Sequence, residues 1–63
     1  MNRTNGKIAE QSKEKISKAL LSIMEQYDFQ EITITQISQE ARLSRKTFYR
    51  LFSTKTDVLN YYF

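Results

Sequence analysis

Apolar residues recur along this chain at intervals of three and four, and no stretch alternates apolar with polar residues for long. That pattern predicts helices rather than strands. The clearest stripe is Ile16, Ala19, Leu20, Ile23, Met24 and Tyr27, which falls on one face of a helix with 3.6 residues per turn. Lys13, Glu14, Lys18, Ser22, Glu25 and Gln26 take the outer face, with Glu14 and Lys18 at the favourable i,i+4 spacing. Ser12 can cap this first helix, or it can begin earlier, after Asn5-Gly6. Residues 1–7 offer little apolar surface to a core and are expected to form a flexible arm. Asp28 is expected to end the helix, with Phe29 and Ile32 pinning the connection to the core.

Three further helix starts are written in local spacing. Thr33 lies three residues before Gln36, a capping box that opens a second helix over about 34–41, with Ile34, Ile37 and Ala41 inward. Ala41 is small where two steeply crossing helices approach each other. Ser44 caps a third helix over about 45–51, from which Phe48, Leu51 and Phe52 point inward. Thr54 and Asp57 repeat the capping pattern, starting a fourth helix at about 55 with Val58, Leu59, Tyr62 and Phe63 on its apolar side. Little else in the chain could cover that side, so the chain reads as an N-terminal piece of a longer protein.

Composition narrows the chemistry. At 63 residues, 40% of them hydrophobic, there is material for one small core. The absence of cysteine, histidine and proline removes disulfides, thiolate or imidazole metal sites and the usual acid–base group. No phosphate-cradling glycine loop is present, and no hydroxyl has a general base at a suitable spacing. An enzyme, a metal protein and a cofactor carrier are therefore not expected. No apolar run is long enough to cross a bilayer, and no signal peptide opens the chain, which suits a cytoplasmic protein.

Charge is what singles out a function. The net charge is +3, and Thr33 to Lys55 holds Arg42, Arg45, Lys46, Arg50 and Lys55 against Glu40 alone. The remainder of the chain is slightly acidic. A focused positive face on a helix-turn-helix pattern is the electrostatic footprint of a DNA binder. The placement matters as much as the sum. Helix N-termini disfavour cations by about 0.3–1 kcal/mol each, yet the third helix opens with Arg45 and Lys46 and the fourth with Lys55. An external anion such as phosphate would resolve the conflict. Arg45, Lys46, Thr47, Tyr49 and Arg50 remain outward once Phe48, Leu51 and Phe52 are buried. They offer guanidinium forks for guanine, a methyl and hydroxyl for thymine or backbone, and a phenol for phosphate. Arg3 and Lys7 could track a minor groove, although solvation is the simpler reading; Lys13, Lys15 and Lys18 read as an ordinary helix face, and Arg42 as a solvated turn residue.

The order of motifs resembles the N-terminal DNA-binding domain of the TetR family of bacterial transcriptional regulators. The blocks are I-x-x-A-L from Ile16, F-x-x-I-T from Phe29, I-S-x-x-A-x-L-S from Ile37 and T-F-Y-x-x-F-x-x-K from Thr47, followed by Val58-Leu59. The resemblance implies an all-α, homeodomain-like three-helix bundle with a helix-turn-helix and the start of a fourth helix. It makes the third helix the recognition helix, sends Tyr49 and Lys55 to phosphate, and brings Thr33 and Thr35 to the DNA backbone. Arg45, Lys46, Thr47 and Arg50 match positions that reach base edges or flanking phosphates. It further implies a C-terminal domain, outside this chain, that dimerises and binds a small effector, so that the intact dimer reads a palindromic operator, usually as a repressor, while this piece alone is monomeric. Two positions depart from the family's glycines: Asp28 after the first helix, and Arg42 in the turn, where a positive φ is expected. The rival from another class is a three-helix interaction module that docks a partner through its C-terminal apolar face.

Overall fold

The computed structural model describes the backbone of residues 3–63 and the side chains of residues 8–63. Four helices follow one another: α1 Arg3–Met24, α2 Ile34–Ala41, α3 Arg45–Leu51 and α4 Lys55–Tyr62, with a single 3-10 turn Phe29–Glu31 before α2. Among the described residues there are no strands. The chain is thus all-helical.

The first helix is longer than the apolar stripe indicates. It begins at Arg3, so the segment expected as an arm is helical from that residue on, while Met1 and Asn2 lie outside the described residues. Gly6 is the residue in this stretch that most disfavours a helix, by about 1 kcal/mol relative to alanine, and Ser12 lies inside the helix rather than capping it. Ile8, Ala9 and Ser12 also line a groove of about 390 Å³ opposite Leu43, Thr47 and Leu51, which gives this extension neighbours. The other end is shorter than expected. The helix closes at Met24, and Glu25, Gln26 and Tyr27 turn back with amide bonds to the carbonyls of Ser22 and Ile23. Past that point the helical period no longer sets side-chain direction, and Tyr27, expected in the core, is 50% exposed. Asp28 does not end α1 either; it is extended (φ −67°, ψ 143°) ahead of the 3-10 turn, so its backbone makes no demand for glycine.

Side chains start each of the remaining helices. At α2 the Gln36 amide donates to Thr33 Oγ1 at 3.1 Å, while the Thr33 amide donates to Gln36 Oε1 at 2.9 Å. At α3 the Thr47 amide donates to Ser44 Oγ at 3.1 Å. At α4 the Asp57 amide donates to Thr54 Oγ1 at 3.2 Å, and the Thr54 amide to Asp57 Oδ2 at 3.1 Å. Each cap satisfies amides that a helix of one or two turns would otherwise leave to water.

The turn between α2 and α3 depends on Arg42, which is left-handed at φ 61°, ψ 40°, the one non-glycine residue with positive φ among those described. Its amide donates to Gln39 O at 3.1 Å and the Leu43 amide to Ser38 O at 2.9 Å, closing α2 in a Schellman arrangement. A side chain at this φ is costly, so Arg42→Gly is expected to stabilise the domain by about 1 kcal/mol. In thermal unfolding this should appear as a rise of about 4–8 °C in Tm; a fall would contradict the turn geometry.

All four helices contribute to one core: Ile16, Ala19 and Leu20 from α1, Ile37 and Ala41 from α2, Phe48 from α3 and Val58 from α4, joined by Ile32 and Phe52 from the connections. Ile23, Met24, Phe29, Ile34, Leu43, Leu51 and Leu59 pack around it, half-buried. Two serines share the interior. Ser17 donates its hydroxyl to Glu14 O at 3.0 Å, whereas the buried Ser38 hydroxyl has no partner among the described residues. The apolar side expected for α4 is only half used. Val58 is fully buried, but Tyr62 and Phe63 are exposed, and Tyr61 instead sets its ring edge-on to Phe52 at 5.7 Å beneath the Lys13 ammonium.

Candidate nucleic-acid interface

Helix α3 separates its two faces by register. Taking Arg45 as origin, about 100° per residue puts Arg45, Tyr49, Lys46 and Arg50 within an arc of about 140°. All four are exposed there. Thr47, Phe48 and Leu51 occupy the rest of the circumference, half-buried, fully buried and half-buried respectively. Burying Phe48 therefore fixes which residues face out. Tyr49 has 56% of its surface exposed, and its ring stands edge-on to Phe48 at 5.6 Å, which braces the phenol from behind.

Thr47 is less free than its neighbours. Its Oγ1 accepts a hydrogen bond from the Ser44 hydroxyl at 3.0 Å, so cap and threonine form one unit at the start of α3. Thr33 and Thr35, at the start of α2, are both exposed. The Thr33 hydroxyl is already the cap of α2, and Thr35 stands in the first turn, where backbone amides lack intrahelical partners.

Electrostatics distinguish α3 from α4. The first turn of α3 contains no acidic residue to offset Arg45 and Lys46, and that of α2 contains none either. At α3 the positive helix end and the two cations coincide, which favours an anion from outside. At α4 the conflict expected from Lys55 is resolved within the chain. Asp57 supplies the negative group to the helix start, and Lys55 turns away from it. Its Nζ donates to Phe29 O at 2.6 Å and to Ile32 O at 2.7 Å, and lies 4.6 Å from the centroid of the Phe29 ring. The eight expected contact residues are therefore not one cluster. Arg45, Lys46, Tyr49 and Arg50 are brought together on α3 with Thr47 beside them, Thr33 and Thr35 sit at the start of α2, and the Lys55 ammonium is occupied internally.

Sequence reasoning missed the Ser44–Thr47 hydroxyl pair and the site that holds Lys55. The first was within reach, since Ser44 already stood out as a cap three residues before Thr47. The second joins residues more than twenty positions apart, and no local spacing signals it.

Two short helices joined by a left-handed turn, the second with a basic outer face, define a helix-turn-helix domain. The family model for "Bacterial regulatory proteins, tetR family" matches residues 16–62. The chain therefore belongs to the tetR family, and the matched segment is that family's N-terminal helix-turn-helix DNA-binding domain, a regulatory rather than a catalytic unit. No curated protein and no solved structure matches the chain. Among the described residues no helix is long and apolar enough to cross a membrane, and no group of His, Cys, Asp or Glu is placed to hold a metal ion.

Proposed function

We propose that residues 8–63 are a sequence-specific reader of double-stranded DNA within a cytoplasmic transcriptional repressor. The carrying observation is the exposed arc of α3, three cations and a phenol with no carboxylate among them. In this reading α3 enters the major groove and α2 crosses the phosphate backbone. Arg45 and Arg50 present forks suited to guanine O6 and N7. Lys46 and Tyr49 meet phosphate, Thr47 offers its methyl group to thymine, and Thr33 and Thr35 approach the backbone from α2. Helices α1 and α4 hold the pair from behind.

Two copies, paired through a further domain as the family resemblance implies, would place their recognition helices about 34–36 Å apart on a palindromic operator. A small effector bound to that domain would change the spacing and lift repression.

The test is a titration onto duplex DNA at two salt concentrations. With Lys46 as the cation of α3 that meets phosphate, the slope of log K against log salt is about −0.9, and a fourfold rise in salt weakens binding about 3.5-fold. Salt-independent association would instead mark an apolar docking face, and would overturn the reading. Selection from a random DNA pool would then give the operator half-site.

A further inference from the structure

We propose that Arg42 is a phosphate contact of the bound duplex, carried on the turn ahead of the recognition helix; this rests on the DNA-binding reading. Arg42 holds φ 61°, ψ 40°, the left-handed region that a side chain disfavours, and no other non-glycine residue among those described does so. Glycine would hold the same turn without a steric cost. Residues kept in such conformations concentrate at ligand-binding sites and switches, where function offsets the strain. The guanidinium is therefore the part of Arg42 that needs a use.

Its surroundings indicate an anion. Arg42 is exposed and lines a groove with Lys15 and Lys18 of α1, both exposed, against one carboxylate, that of Glu40. Three cations to one carboxylate leave this groove positive. The groove also adjoins the recognition helix. Arg42 stands three residues before Arg45, so their Cα atoms are at most about 11 Å apart. A duplex carries one negative charge per about 1.7 Å of its axis, so a long cationic side chain beside a helix seated in the groove has phosphates within reach. The plainer role for Arg42 is to offset the dipole at the end of α2, whose last turn contains no basic residue. Gln39 and Glu40 are exposed positions in that turn, where a cation would do the same on ordinary helical backbone. The dipole alone does not explain a side chain at position 42. A phosphate contact carries no sequence information, so Arg42 should strengthen binding to all duplexes alike.

The experiment compares the 63-residue chain with Arg42→Gly and Arg42→Lys on duplex DNA over a fourfold range of salt. With Arg42 added to Lys46, the unsubstituted chain should show a slope of log K against log salt of about −1.8, or about a twelvefold loss over that range. Arg42→Gly should return the slope to about −0.9, about a 3.5-fold loss, on every sequence tested, while its Tm rises. Arg42→Lys keeps the charge and should keep the steeper slope. A chain that is more stable and yet binds with a shallower slope cannot owe the change to lost fold. Equal slopes for the unsubstituted chain and Arg42→Gly would overturn the proposal and leave the DNA-binding reading standing. Association that ignores salt in all three chains would overturn both.

Discussion

Phe48→Ala is expected to abolish the fold under ordinary conditions. Phe48 is fully buried on α3, and its ring packs against Phe52 at 5.9 Å and Tyr49 at 5.6 Å. Truncating a buried phenylalanine costs about 3–5 kcal/mol, part of it from the cavity left behind. A domain of this length has a total stability of only about 3–9 kcal/mol. The loss therefore consumes most of what is available. Nothing nearby can collapse to refill the space cheaply, because the other core residues come from separate elements tied by their own caps. Chemical denaturation followed by circular dichroism checks this, and a loss below about 1 kcal/mol would contradict the packing described. DNA binding should vanish in parallel, since the basic arc of α3 is the reverse side of the same residue.

The second large effect is expected at Arg45 and Arg50, the two arginines proposed to read bases. Arg45→Ala and Arg50→Ala should each weaken binding by about 1–3 kcal/mol at particular base pairs and relax the preference there. Lys46→Ala, by contrast, should weaken all sequences alike. Arg50 has a plainer role to be separated from this one. It stands in the last turn of α3, where a cation is favourable to the helix dipole by about 0.3–1 kcal/mol. Arg50→Lys distinguishes the two, because lysine keeps the charge but loses the planar fork. Affinity measured on a set of single-base variants of the operator should flatten for Arg50→Lys while Tm stays the same. An unchanged profile would remove Arg50 from the base-reading set.

What the sequence disclosed, and what it hid, divides by distance along the chain. The caps at Thr33, Ser44 and Thr54 were legible because each is a contact over three residues, with the partner amide fixed by helix geometry. The left-handed Arg42 was legible only through the family resemblance, which sets a glycine at that turn position. The outward face of α3 followed from naming Phe48, Leu51 and Phe52 as inward. Tyr27 and Asp28 were misread because an apolar period can be continued on paper past the point where the helix has stopped. Of the two starts the sequence offered for α1, the earlier one, after Asn5-Gly6, came nearer; the helicity of residues 3–6 was missed because a segment with few apolar residues gives no periodic signal. Lys55 was singled out by motif for phosphate, but the internal partners of its ammonium gave no sequence signal. Its two carbonyls and its ring come from a stretch before α2 that only the folded chain brings near. Ser38 gave no signal, since a buried hydroxyl looks like any other polar residue in a one-dimensional pattern.

The helices beyond α1 are short, with 8, 8 and 7 residues in α2, α4 and α3. Isolated segments below about 12–15 residues do not persist as helices in water. No piece of this chain can therefore carry the recognising surface alone, and partial unfolding cannot leave a weakened but working reader. Damage to the interior should therefore lower the folded fraction of the whole four-helix unit and not loosen one contact of its surface at a time.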